Sequence, residues 1–174
     1  VEMLSELPAD IDTRLKAEVH RRLGVLELKR NLYDSSADHL ATASRIANDI
    51  RDAQTLADIY YDKGGLLERR GRFDEAVQNF EAAGDFARGV GDKIAVGRSR
   101  YGLGRVKSSL LEYTEAVRLK KEALNILERT GDVNMTSKVC IGIGNDMRSI
   151  KQGDEGLKYL ERAVDLATSV GDIN

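Results

Sequence analysis

Few residues of this 174-residue chain have types that do chemistry, and their spacing argues against most reactions. His20 and His39 are the only histidines, and neither has a Cys, Asp or second His at ligand spacing along its own segment, which predicts packing or surface roles and no metal site. Cys140 is the only cysteine; it cannot build an intrachain disulfide framework, and it is expected to be a buried, inert thiol. The segment Gly97-Arg98-Ser99-Arg100-Tyr101-Gly102-Leu103-Gly104 has the glycine spacing of a phosphate loop, but no Lys-Ser/Thr follows its second glycine, Gly102, and the segment is expected inside a helix. Gly142-Ile143-Gly144 lacks the third glycine of a dinucleotide fingerprint. Both runs predict small residues that let helices approach. The carboxylate pairs Asp74-Glu75 and Asp154-Glu155 fall where helices are expected to begin and there complement the helix dipole. The reading is of a chain that is not an enzyme and needs no cofactor.

Composition sets the class. Apolar residues make up 41% and charged residues 32%, Trp is absent, and Pro occurs once, at Pro8. Such a mixture favours helices, because Ala, Leu, Glu, Lys and Arg lose little side-chain freedom in them. A net charge of −2 gives no general attraction to phosphate backbones, so nucleic acid is not expected as a partner. No apolar stretch is long enough to span a bilayer, and Val1-Glu2-Met3-Leu4 lacks the basic-then-apolar plan of a signal peptide. A cytoplasmic location, without membrane association, is the expectation.

The elements that position these residues come from an internal repeat. Gly91-Asp92, Gly131-Asp132 and Gly171-Asp172 recur every 40 residues, and the same register backwards gives Arg51-Asp52 and Ile11-Asp12. Gly24, Gly64, Gly104 and Gly144 form one invariant column, and Ala43, Ala83, Ala123 and Ala163 another. A given four-fold match arises by chance about once in ten thousand, or roughly half a percent over about 40 registers. Two further columns hold only small residues: Ala17, Ala57, Gly97, Ser137 and Ser36, Ala76, Ala116, Gly156.

Each unit reads as helix A, a short turn and helix B. A mid-helix Gly costs about 1 kcal/mol against Ala, so four in register imply a close helix crossing. The Gly-Asp pair marks the junction, with Gly ending one helix in a left-handed conformation and Asp capping the next. In the third unit helix A is predicted from about Lys93 to Ser109 and helix B from about Tyr113 to Arg129, with Tyr101, Leu103, Val106 and Leu110 facing inward. In the second unit Gly71-Arg72-Phe73-Asp74 makes the turn, and Asp74 is placed to cap helix B. The resulting boundaries are a lead-in over 1–11, units over 12–51, 52–91, 92–131 and 132–171, and the start of a further unit over 172–174.

The run from Gly64 through Gly71, Phe73, Ala76, Phe80 and Ala83 resembles the tetratricopeptide consensus. The resemblance extends over residues 12–171, and the 40-residue length with its Gly-Asp junction is similar to the variant in polarity adaptors, kinesin light chains and the sensor arms of prokaryotic regulators. Two departures stand out: Asn31, Leu111 and Lys151 replace the turn glycine, and Gly153 stands where an aromatic is usual. The resemblance implies an all-α fold, a right-handed α-solenoid of antiparallel helical hairpins, whose function is to bind a protein or peptide in a groove lined by helix A.

By the same resemblance the groove positions include seven basic residues (Arg21, Lys29, Arg69, Arg98, Arg105, Lys138, Arg148) and three acidic ones (Glu18, Asp58, Glu68), a balance of +4. Arg98, Arg105, Lys138 and Arg148 stand without an acidic neighbour among these positions. The expected ligand is an acidic peptide or a C-terminal carboxylate held by Tyr61, Arg69, Arg98, Tyr101, Arg105, Lys138 and Arg148, with Asn145 bonding the peptide backbone. The Lys, Asn and Arg pattern of chaperone-binding clamps is missing: Arg21, Val25, Asp62, Arg98 and Gly102 fill its places in one frame, and Tyr61, Gly65, Gly102, Lys138 and Gly142 in the other. An alternative function is the sensing or autoinhibitory arm of a larger signalling ATPase or transcription regulator.

The last helix B carries Leu157, Leu160, Val164 and Ala167 with no following helix A to cover them. The expectation is a piece of a longer array that also self-associates through this face.

Overall fold

The 40-residue spacing is realised as a stack of helix pairs. A computed structural model describes residues 13–171, which form α1 (Thr13–Lys29), α2 (Tyr33–Asp49), α3 (Ala53–Arg69), α4 (Phe73–Gly89), α5 (Lys93–Ser109), α6 (Tyr113–Glu128), α7 (Val133–Ser149) and α8 (Gly153–Gly171). Odd-numbered helices are the A helices and even-numbered ones the B helices, and no strand occurs among the described residues. The bounds of α5 agree with the expectation, and α6 stops one residue short of Arg129. The lead-in with its Ile11-Asp12 junction and residues 172–174 lie outside the described residues.

The junctions follow from local chemistry. Asp52, Asp92 and Asp132 cap α3, α5 and α7, accepting from the backbone N–H of Thr55, Ala95 and Met135 at 3.1, 2.9 and 2.9 Å. The residue before each cap is left-handed: Arg51, Gly91 and Gly131 have φ of 54°, 73° and 73°. Asp74 does not cap α4. The cap position is Arg72, whose side chain makes no capping bond, and Asp74 sits in the first turn, where it supplies only negative charge.

Turns within the units are uniform although their residues differ. Leu32, Arg72, Glu112 and Gln152 donate their backbone N–H to the carbonyls of Glu27, Leu67, Lys107 and Met147 at 2.9–3.0 Å, the six-to-one bond of a Schellman motif. That motif demands a left-handed residue just before, and Asn31, Gly71, Leu111 and Lys151 adopt it with φ between 61° and 71°. The fourth turn is therefore like the others in spite of Lys151 and Gly153.

The glycine column marks the crossing within each hairpin. A Cβ at Gly24, Gly64, Gly104 or Gly144 would lie 2.7–2.9 Å from the side chain of Leu40, Phe80, Lys120 or Leu160, the same helix B position in all four units. The alanine column is 4% exposed or less throughout. Val106 is fully buried, whereas Leu110 is 40% exposed because it is the cap residue beyond the last turn of α5. The glycines of the apparent phosphate loop are packing residues too: a Cβ on Gly97 or Gly102 would strike Leu127 or Phe80. Cys140 is fully buried, and burial raises its thiol pKa.

Successive units contact each other in an unequal way. Each A helix packs backbone to backbone on the next A helix, α1 on α3, α3 on α5 and α5 on α7, while successive B helices meet only through long side chains, as in the Lys121–Glu155 and Arg162–Glu128 ion pairs of α6 and α8. The stack therefore curves with the A helices on its inner side, and that curvature makes the groove.

Candidate functional site

The inner face of α3, α5 and α7 encloses an open cavity of about 620 Å³ lined by Tyr61, Arg69, Ile94, Arg98, Tyr101, Arg105, Asp132, Met135 and Lys138. Six of the eight expected groove residues thus meet in one place. Asn145 and Arg148 are exposed further along α7 and do not line this cavity.

The electrostatics differ from the expectation. Arg98 donates to Asp58 at 2.8 Å and lies over the Tyr61 ring, 4.4 Å from its centroid. Arg105 pairs with Glu68, and Arg21 donates to Asp62 at 2.6 Å and to Glu18. Arg98 and Arg105 therefore do have acidic neighbours, contributed by the preceding unit from 40 and 37 residues away. Stacking at a fixed rise sets each A helix beside the last, so an excess counted within one unit is neutralised by its neighbour. Arg69, Lys138 and Arg148 keep no ion-pair partner among the described residues. Burial raises the Glu68 carboxyl above its ordinary value although Arg105 and Lys120 draw it down.

Two polar clusters lie outside the sequence-derived set. Lys120 on α6 and Asp146 on α7 are 3% and 4% exposed and pair at 2.7 Å, and Lys120 also donates to Ser108 Oγ at 2.8 Å. Ser108 in turn donates to Asp146 at 3.0 Å. The repeat columns held the signal: Lys120 replaces Leu40, Phe80 and Leu160, and Asp146 replaces Leu26, Leu66 and Val106. Two polar residues in two apolar columns, 26 positions apart, mark facing partners.

The second cluster is in the first hairpin. His20 on α1 and His39 on α2 bring their Nδ1 atoms to 3.0 Å. Burial, then His39 and Arg45, hold the His20 imidazole below its ordinary pKa. Spacing along one helix could not reveal this pair, because its two members sit on different helices.

Residues 55–129 match the model of the tetratricopeptide repeat. No curated protein matches the chain in sequence. Among solved structures it is similar to BtubC from P. vanneervenii, at 18% identity and TM-score 0.77 over 98% of this chain and 71% of that one. It is also similar to aspartyl phosphate phosphatase F from Bacillus subtilis, at 18% identity and TM-score 0.84 over 93% of this chain and 43% of that one. A third likeness is to a signal transduction ATPase with numerous domains and a tetratricopeptide repeat sensor from Pyrococcus horikoshii, at 16% identity and TM-score 0.78. That match covers 99% of this chain and 27% of the ATPase. At such identities the likeness is one of fold. Residues 55–129 are tetratricopeptide repeats, and the four hairpins of the chain form one all-α, right-handed solenoid of that kind.

Proposed function

We propose that the chain is a protein-binding scaffold whose groove takes an acidic segment of its partner. The observation that carries this reading is the cavity between α3, α5 and α7, where the rings of Tyr61 and Tyr101 and the side chain of Met135 adjoin Arg69 and Lys138, two cations with no ion-pair partner among the described residues, Asp132 of the same lining being engaged in capping α7. A partner carboxylate gains a charge-assisted bond there without breaking an existing pair. Arg98 and Arg105 serve a different purpose in this reading: fixed by Asp58 and Glu68, they hold the groove in shape and present rigid guanidinium faces. Asn145 and Arg148 extend the same surface along α7 and take the partner's backbone and a further carboxylate.

The test is affinity capture from native lysate, with sequencing of the captured segments. Arg69→Glu with Lys138→Glu is the control, since neither change breaks an ion pair among the described residues. Loss of capture in the double variant, and falling capture with salt, are the expected results. Capture that ignores both the reversal and the salt would defeat the proposal. Turnover that persists through purification and depends on a named residue would overturn the non-catalytic reading.

A second reading is favoured by the match of nearly the whole chain to 27% of a signalling ATPase whose description includes a tetratricopeptide repeat sensor. In that reading the groove closes on another domain of the same polypeptide, and capture would return the chain's own flanking region. Both readings place the protein in the cytoplasm, and no helix among the described residues is long and apolar enough to cross a membrane. Self-association belongs to the proposal as well, because Leu157 and Val164 of α8 are 53% and 64% exposed. Sedimentation should then show mass rising with concentration, and a Leu157→Glu, Val164→Glu variant should stay monomeric.

A further inference from the structure

His20 and His39 are the only imidazoles of the chain, and the fold faces them toward each other across α1 and α2 with ring centroids 5.2 Å apart. The corresponding positions of the other units hold Tyr60, Arg100 and Cys140, and Asn79, Leu119 and Tyr159, so the arrangement is confined to the first hairpin. On the far side of His39, its Nε2 lies 3.7 Å from Glu27 Oε1, while Glu27 Oε2 is buried without a hydrogen-bond partner. A carboxylate beside Nε2 favours the tautomer protonated there and leaves the Nδ1 lone pair to accept from His20 Nδ1–H, a proton that a metal ion would replace. This is the order of groups found behind metal-binding histidines, carboxylate then imidazole then metal, with the lone pair directed at a second imidazole.

We propose that His20 and His39 form a site for a divalent transition-metal ion that ligates Nδ1 of both rings and joins α1 to α2. The spacing sets the class of ion. With metal–nitrogen bonds of about 2.05 Å, nitrogens 3.0 Å apart subtend about 94° at the metal, near the cis angle of octahedral or tetragonal Ni²⁺ and Cu²⁺, once both rings tilt out of the nearly head-on arrangement that sets their centroids 5.2 Å apart. Tetrahedral Zn²⁺ needs the nitrogens to part to about 3.3 Å, a small movement for two half-buried rings. Hard ions such as Mg²⁺ and Ca²⁺ prefer oxygen ligands and are excluded by the donor set. Among the described residues no third His, Cys, Asp or Glu completes a cluster, so the remaining positions belong to water or to a partner's side chain. Arg45, on α2, opposes a cation here, and Asp49 lies 3.5 Å from its guanidinium and offsets that charge.

The experiment is thermal unfolding of tag-free protein with Ni²⁺, Cu²⁺ or Zn²⁺, set against Mg²⁺, Ca²⁺ and chelator. At a metal concentration a hundredfold above Kd the midpoint should rise by about 5 °C with transition metals only. His20→Gln and His39→Gln should each abolish the rise. Zn²⁺ titration of the wild-type protein, read at the Nδ1 resonances of the two rings by NMR, stands independently of whether either variant folds, and both resonances should move together. An unchanged midpoint with unmoved resonances, or a rise that survives in both variants, overturns the proposal.

Discussion

Lys120 and Asp146 form an ion pair of 2.7 Å at the interface between the third and fourth units, with both side chains all but removed from solvent. Every other unit fills these two columns with apolar residues, so the pair is a local exchange of hydrophobic packing for charge. The room for it comes from Gly104, where a Cβ would stand 2.7 Å from Lys120 Cγ.

Removing one partner should cost more than removing both. Lys120→Met leaves a buried carboxylate with only Ser108 and is expected to lower stability by about 3–5 kcal/mol. Lys120→Leu with Asp146→Val restores the apolar columns and should be neutral or stabilising by about 1–4 kcal/mol. Urea unfolding of the single and double variants measures the difference, and a double variant as weak as the single would show that the pair does more than fill space.

Glycines in neighbouring positions should respond oppositely to alanine. At Gly102 a Cβ would lie 2.5 Å from the Phe80 ring, so Gly102→Ala is expected to destabilise by about 1–3 kcal/mol through overpacking. At Gly65 nothing lies within 4 Å, so Gly65→Ala should stabilise α3 by about 0.5–1 kcal/mol. Because Gly65 is on the groove side by register, its substitution also reports whether a ligand backbone needs that space.

The left-handed turn residues allow a gain in stability. Leu111 holds φ at 62° with its side chain 70% exposed, which strains the backbone for no packing return. Leu111→Gly should raise stability by about 1 kcal/mol in thermal or urea unfolding, and Gly71→Ala should lower it by a similar amount.

Acid should loosen the unit junctions. Burial alone would raise the Asp52 carboxyl, but the Thr55 hydroxyl and N–H, with Arg14, bring it below its ordinary 3.8. Asp92 is lowered in the same way, against burial, by the Ala95 N–H and Gln54. A folded-state pKa below the unfolded one gives stability that is complete above the unfolded value and lost as pH falls through the folded value. Each cap, worth about 1 kcal/mol, should therefore persist down to about pH 4 and fade below it. Asp52→Asn and Asp92→Asn keep the cap and should flatten the melting temperature between pH 4 and pH 2 relative to wild type.

The 40-residue repeat by itself determined the fold of this protein. Invariant Gly24, Gly64, Gly104 and Gly144 require a close crossing, Asp52, Asp92 and Asp132 require helix starts, and these local demands repeat without conflict along the chain. Even the left-handed turns survive at Asn31, Leu111 and Lys151, because the Schellman bond and the packed hairpin outweigh a strain of about 1–2 kcal/mol per residue. The groove was legible to the extent that motif register places side chains on the A face, which brought Tyr61, Arg69, Arg98, Tyr101, Arg105 and Lys138 together. What the tertiary structure alone decided is which charges are already spent. Asp58 with Arg98, Glu68 with Arg105, Lys120 with Asp146 and His20 with His39 are all pairs between different helices, separated by 19 to 40 residues. Electrostatic pairing depends on distance through space, and along a solenoid that distance is set by the rise and rotation between helices, which spacing within a single helix does not encode.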